Sequence, residues 1–586
     1  MSGVTLEEYR SAEQPIPDRM LRWHLYGAGL DSLGKEGQPE TVEVPEMGPH
    51  ELLVRQDACG LCFSDTKVIA LGANHPRMSG RDLARDPVTL GHEVAVTVVR
   101  VGDELKERFQ VGQRFVVQAD VFYQGKSMAY GYAIRGGLAE YSIIPRAVIE
   151  GDEGCYLLPI RPDTGYVESA LTEPWACVVS AYAQSHREGI KPGGLLLVVG
   201  SDTATRTEYT WSNLLTVAHK PRQILTYGVG GLAQKGLAAA AAQLGVEVVN
   251  EFAEGPEVGR MPADAYSKVD DILFLGNVAP EEIEDIVKVI DDHGIVNFVT
   301  DSELPRSLSL DIGRIHYNWH YYLGTTTTDP SNAYRETRTA DLVAGGMTWF
   351  IGAGGPMGQM HVQRAVQHPN PPKLIVATDV DAVRLASVSE RFGVMAEQRG
   401  LTLVTLNPNE LGAETFDSEL ARLTGGRGFD DIVCMVPLAS LIEHSEKHVA
   451  EGGWVNIFAG VARGTMATLD VNAIIRRRVR FLGSSGSSLA DMRETLRRVE
   501  QDELSTNASL AAIGGMSAAA EGLKAVKEGW FAGKTLIFPW IHDLPLTPLA
   551  ELKERFPTVY AKLLDGKFWT NEAEQELMRI MLTEAP

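Results

Sequence analysis

An internal repeat constrains this chain more than any other feature. Gly193–Gly200 reads GGLLLVVG and Gly345–Gly352 reads GGMTWFIG. RQILTYGV (Arg222–Val229) is matched by KLIVATDV (Lys373–Val380), and DDILFLGNVAPEEIED (Asp270–Asp285) by DDIVCMVPLASLIEH (Asp430–His444). HGIVNFVTD (His293–Asp301) is matched by GGWVNIFAG (Gly452–Gly460), and the stretch from Leu308 to Thr327 by that from Ala467 to Gly486. The blocks keep their order at an offset of roughly 150–160 residues, which a chance likeness between two βαβ stretches would not do. Apolar strand-like runs alternate with Ala- and Leu-rich helical runs in both copies, the pattern of a parallel sheet with crossover helices. We therefore expect two doubly wound α/β units in tandem, at 190–344 and 345–499. With 586 residues the chain has room for roughly three or four domains. Residues 1–187 have a different texture. Strand-like runs (Glu51–Ala58, Val94–Val101, Arg114–Gln118, Ala139–Ile144) are cut by Gly, Pro and Asp turns, so a β-rich domain is expected there.

The second copy opens with a strand that runs straight into Gly352-Ala353-Gly354-Gly355-Pro356-Met357-Gly358. Gly352 permits a tight turn, Gly354 lets backbone approach a pyrophosphate, and Gly358 lets helix and strand pack closely. Gly355, Pro356 and Met357 complete a turn that lays phosphates on a helix N-terminus. The next strand ends at Asp379, whose carboxylate can hold both ribose hydroxyls of NAD and would repel a 2′-phosphate. NAD is thus expected over NADP. The first copy has lost this loop: LLLVVG is followed by Ser201-Asp202-Thr203-Ala204-Thr205-Arg206, and its second strand ends without an acid. It is expected not to bind a dinucleotide and to serve as structure or interface.

Upstream, Cys59-Gly60-Leu61-Cys62-Phe63-Ser64-Asp65 precedes Gly91-His92-Glu93, and Glu173-Pro174 follows. A thiolate, an imidazole and a carboxylate from three segments can hold zinc with one position open for catalysis. Asp65 is placed to orient the His92 ring. Taken singly, the two cysteines suit a small buried core pair or a redox pair, and His92 suits a structural histidine. No second C-x-x-C exists to complete a zinc knuckle.

The formal net charge of −23 argues against a general nucleic-acid or membrane-surface binder. No apolar run reaches the ~20 residues of a membrane helix, and the polar N-terminus is no signal peptide. Five cysteines are too few for a disulfide framework in a chain of 586 residues. We expect a cytoplasmic protein with reduced thiols.

C-G-x-C-x-S-D, G-H-E, E-P, G-x-G-x-x-G and a late G-K-T-L-I-x-P (Gly533–Pro539), in that order, resemble the zinc-dependent medium-chain dehydrogenase/reductases, the alcohol and polyol dehydrogenase family. GQRFVVQAD (Gly112–Asp120), EPWACV (Glu173–Val178) and GGRGFDDI (Gly425–Ile432) are most similar to sorbose-1-phosphate reductase-like members. The resemblance implies a GroES-like β-rich catalytic domain, with 500–586 returning to it, and two Rossmann-like domains, the first degenerate. It implies Cys62 and His92 as ligands of one catalytic zinc, with Glu173 third, directly or through water. Glu93 becomes an alternating or supporting carboxylate, Ser64 passes the substrate proton, and Lys67 stands where many relatives have a relay histidine. The family's four-Cys structural lobe is missing, since no Cys lies between Gly102 and Gly154. Cys177 is a competing ligand. The implied reaction is hydride transfer between NAD(H) and the alcohol or carbonyl of a polyol, sugar or sugar phosphate. An NAD-containing epimerase or lyase and a non-catalytic NAD- and zinc-binding scaffold are the alternatives. Family members commonly dimerise through a coenzyme-domain edge strand. This chain could be such a homo-oligomer, or its fused second copy could supply that contact.

Overall fold

Ten consecutive buried residues, Leu52–Leu61, form the strand around which the first part of the fold is organised. A strand buried on both faces loses the in–out alternation of a half-exposed one. In the computed structural model, which describes residues 4–78, 80–252, 269–335 and 338–584, the chain divides into two compact units. The first holds 1–180, 354–367 and 486–586, and the second holds 181–353 and 368–485. Among the described residues no helix is long and apolar enough to cross a membrane.

The first unit is built on an eight-stranded sheet. Leu52–Leu61 pairs antiparallel with Glu93–Val101 on one side and with Lys534–Phe538 on the other. Arg114–Val117 and Leu157–Pro159 continue the sheet beyond Glu93–Val101, and Leu510–Gly515 continues it beyond Lys534–Phe538. The C-terminal strand Lys534–Phe538 is buried throughout, like the strand Leu52–Leu61 that it meets.

The second unit contains the sheets of both repeats, each six-stranded and parallel in the order 3-2-1-4-5-6 of the doubly wound nucleotide-binding fold. The first sheet uses Leu195–Gly200, Gln223–Tyr227, Glu247–Phe252, Val269–Leu275, Ile290–Val299 and Tyr321–Thr325. The second uses Met347–Ile351, Leu374–Thr378, Thr402–Leu406, Phe429–Cys434, Val449–Ile457 and Arg480–Gly483. The recurring Asp-Asp pair has the same job in both. Asp270 Oδ2 accepts from the Leu195 N–H at 2.8 Å and Asp430 Oδ2 from the Met347 N–H at 2.8 Å. Arg187 binds Asp271 at 3.0 Å, and Arg338 binds Asp431 at 2.7 Å. Each pair ties the start of the first strand to the start of the fourth.

The repeats differ in one crossover. Between Leu195–Gly200 and Gln223–Tyr227 there is only a short 3₁₀ turn, Ala204–Arg206, with Tyr209, Trp211 and Leu214 packed into the core behind it. The α-helix expected there is absent, because the stretch carries bulky aromatics and no helical apolar period.

The repeats meet through equivalent elements. Leu308–Asp311 pairs antiparallel with Met466–Leu469, so that Leu308 faces Leu469 and Leu310 faces Ala467. Since Leu308 corresponds to Ala467, and Leu310 to Leu469, the pairing exchanges equivalent positions, as an isologous contact does. Gly324 and Gly483, also equivalent, each face the helix of the other repeat. A Cβ on Gly324 would stand 3.0 Å from Ile475 Cα, and one on Gly483 would stand 2.5 Å from His316 Cα. One apolar core runs through both sheets, with Phe298, Ile315, Ile475 and Phe481 among its buried members.

Candidate active site

The register of the first sheet assembles the front of the site. Gly60 pairs with Glu93, and Leu61 pairs with Thr535. The end of one strand, the start of its neighbour and the start of a third therefore lie side by side. Cys62 follows the first, His92 precedes the second, and Lys534 begins the third. Glu93 can turn inward because its partner is glycine: a Cβ on Gly60 would lie 2.1 Å from Glu93 Oε2. Cys62 then caps the helix Phe63–Leu71, and its N–H donates to Asp65 Oδ2 at 2.9 Å.

Among the described residues, one ligand atom each from Cys62, His92 and Glu93 lies within 4.8 Å of the others. Ser64 joins them, with Oγ 3.3 Å from His92 Nε2. Asp65, buried, places Oδ1 3.3 Å from His92 Nδ1. Burial opposes a charge on His92, but the facing Asp65 carboxylate prevails and raises its pKa well above the usual value. Lys534 Nζ reaches Glu93 Oε1 at 2.5 Å and the Leu61 carbonyl at 3.1 Å. Burial alone would favour loss of its proton, and Glu93 more than offsets this. Glu93 Oε2 is buried with no hydrogen-bond partner. An acceptor left so in a polar pocket is where a cation fits.

Glu173, expected as the third ligand, stands outside the group that Glu93 joins. It lies on the helix Thr172–Ala183, in the field of His92 and Glu93. Burial, opposed by His92 and reinforced by Glu93 and Asp120, pushes its carboxyl up to about 7. Cys177 is one helical turn further on, and burial raises its thiol pKa well above the ordinary value. Lys67 is not drawn in: it is exposed, with its ammonium 5.8 Å from the Phe63 ring centroid.

Two residues beside the group carry no motif. Tyr132 sets its ring 5.7 Å from the His92 ring, and Arg77 lies over Tyr132 at 5.0 Å while pairing with Asp120 at 2.8 Å. Gln118 is buried and donates to the Ser487 carbonyl at 2.8 Å. Lys534 sits inside the recognised G-K-T stretch, and a lysine opening an apolar strand was the available signal for a buried ion pair.

The glycine turn of the second repeat has the form its sequence implies. Gly352, at φ +80°, ends the first strand, and the N–H groups of Gly352 and Ala353 both donate to the Thr378 carbonyl at 2.9 Å. Pro356 then begins the helix Pro356–Gln367. Asp379 directly follows the strand Leu374–Thr378 and accepts from the Asp381 N–H at 3.0 Å. In the first repeat the corresponding crevice is filled. Ser201 Oγ donates to the Leu275 carbonyl at 3.1 Å, and Thr203 Oγ1 accepts from the Asn277 N–H at 3.2 Å. The Thr205 carbonyl occupies the approach to the next helix, 2.0 Å from where a Cβ on Gly231 would be. Gly352→Val would put a β-branched side chain at a positive φ, with its Cβ 2.6 Å from Val436 Cγ2. Strain of about 1–3 kcal/mol should weaken binding of a nicotinamide dinucleotide by roughly ten- to a hundredfold, read by fluorescence titration with NADH and NADPH.

The alcohol dehydrogenase GroES-like domain model matches residues 48–150, the stretch that carries Cys62, His92 and Glu93. Mannitol-1-phosphate 5-dehydrogenase of Aliivibrio fischeri is 23% identical over 556 residues, covering 93% of this chain and 95% of that protein. The chain is similar to the alcohol and polyol dehydrogenases of the medium-chain family. L-sorbose 1-phosphate reductase of Klebsiella pneumoniae is likewise 23% identical over 546 residues, covering 92% of this chain and 94% of the relative. Among solved structures, galactitol-1-phosphate dehydrogenase of Escherichia coli aligns with a TM-score of 0.47 at 14% identity, covering 89% of this chain and all of that one (100%).

Proposed function

We propose that this protein transfers a hydride between NAD(H) and the alcohol or carbonyl group of a polyol, sugar or sugar phosphate, with one zinc at the catalytic centre. The observation that carries this is the convergence of Cys62, His92 and Glu93 within 4.8 Å, a sulfur, nitrogen and oxygen set that suits zinc. Cys62 and His92 would hold the ion with a carboxylate from Glu93 or Glu173. Zinc held there supplies Lewis-acid polarisation of a substrate oxygen. Nicotinamide supplies the hydride chemistry, and the turn Gly352–Gly358 with Asp379 would hold its dinucleotide.

The protein's own groups have distinct tasks. Asp65 fixes the His92 ring by facing Nδ1, which leaves Nε2 for the ligand role. Ser64 Oγ, beside Nε2, is placed to accept the proton of a substrate hydroxyl in the same pocket and pass it outward. Lys534 holds Glu93 in place through its ammonium. The names of the full-length relatives support a phosphorylated polyol or ketose as substrate, and a half-exposed Arg77 beside the pocket suits an anionic one.

The test is an NADH- and NADPH-coupled screen over polyols and their phosphates, with metal analysis of the same sample. Accumulation of free NADH on at least one substrate, with zinc present, is expected. A chain that turns over without zinc, or that converts sugars without releasing NADH, would overturn the proposal.

A further inference from the structure

Outside the catalytic group, a second cluster lies in the nucleotide-binding repeat. Asp417 is on the helix Ala413–Thr424, His444 on the helix Ala439–Glu446, and His448 directly before the strand Val449–Ile457. His444 Nε2 lies 2.6 Å and His448 Nε2 3.2 Å from the same oxygen, Asp417 Oδ1. Both imidazoles thus aim the same nitrogen at one point. One ligand atom from each of the three residues lies within 4.8 Å of the others, and no further group of three His, Cys, Asp or Glu does so among the described residues apart from the catalytic one.

The setting favours an ion over a simple hydrogen-bonded trio. Asp417 is 44% exposed and His444 26%, so water can complete a coordination sphere. The inner side is dry and aromatic: Trp349 stands 6.0 Å from the His444 ring and 5.7 Å from the His448 ring, and Phe416 stacks on His444 at 6.1 Å. That wall fixes the ring planes before anything binds. The fold itself does not require the histidines. Glu443 and Glu284 are equivalent, since each accepts from the N–H of a matching strand residue, Thr468 and Ser309. By that equivalence Asp285 and Val289 stand where His444 and His448 do, and the first repeat still forms its helix and strand there.

We propose that Asp417, His444 and His448 form a second metal site, for a borderline divalent cation such as Zn²⁺, Ni²⁺ or Cu²⁺. Two imidazoles and a carboxylate are the donor set such ions prefer, and calcium or magnesium would select against the nitrogens. The ion links the helix before the fourth strand to the segment between the fourth and fifth. Binding the folded state alone, it raises that state's stability.

The full chain, stripped of metal and dialysed against Zn²⁺, should take up two equivalents. Cys62→Ser should lose one and keep the other, and the double variant His444→Gln/His448→Gln should lose the other one. Asp417→Asn keeps the size and an acceptor oxygen, and should weaken the second equivalent at least about tenfold, the effect even of an outer-sphere partner. Cu²⁺ should quench indole fluorescence in wild type and in Cys62→Ser, and less in Trp349→Phe. Loss of the catalytic equivalent alone would count against the proposed function and leave this site standing. Uptake of a single equivalent that vanishes with Cys62→Ser, or a second equivalent that survives His444→Gln/His448→Gln, would overturn it.

Discussion

Cys62→Ser should abolish turnover. The serine hydroxyl is a poor ligand at neutral pH because it stays protonated where a thiol near a cation ionises. Losing the ion forfeits several kcal/mol of charge stabilisation in the transition state, so the rate should fall by at least about a thousandfold. The zinc content should drop by one equivalent. NADH affinity should survive, because the glycine turn Gly352–Gly358 lies far along the sequence on a different sheet. Steady-state kinetics, metal analysis and coenzyme titration on one preparation check all three. Wild-type turnover in a zinc-depleted variant would remove the metal from the mechanism.

Lys534→Met should be the most destabilising single change at the centre. Glu93 has no exposed side-chain surface and Lys534 only 5%, so neither charge can be rescued by water. Removing one member of such a pair leaves an uncompensated buried charge and costs about 3–5 kcal/mol. Chemical denaturation should show this as a lowered midpoint with little change in slope. The double variant Glu93→Gln/Lys534→Met should recover much of the loss, since it removes both charges. If the single and double variants are equally unstable, the loss lies in packing and not in the unpaired carboxylate.

The parts of this site that sequence could reveal are those whose chemistry is local. Cys62, Ser64 and Asp65 share one short stretch, and the turn Gly352–Gly358 announces itself by its glycines. Lys534 could not be assigned a partner, because Glu93 is 441 positions away and only sheet register brings them together. The same register explains why the strand expected to end at Ala58 runs on to Leu61: Cys59 and Gly60 look like a turn in isolation but face Val94 and Glu93. The nearness of Glu93 to Cys62 and His92 follows from sheet register and the missing side chain at Gly60, which no motif encodes. The repeat itself was legible because order and spacing survive divergence. The missing helix between Gly200 and Gln223 goes with a stretch whose aromatics Tyr209 and Trp211 follow no helical period.

The pairing of Leu308–Asp311 with Met466–Leu469 has a consequence for how such a protein behaves in the cell. Where two separate polypeptides share this kind of seam, dilution pulls them apart and any change appears twice. Here the partners are tethered, so the seam persists at any concentration. Each half also drifts alone: one can keep its glycine turn while the other fills its crevice with Ser201, Thr203 and Thr205, a division of labour closed to two copies of one gene product.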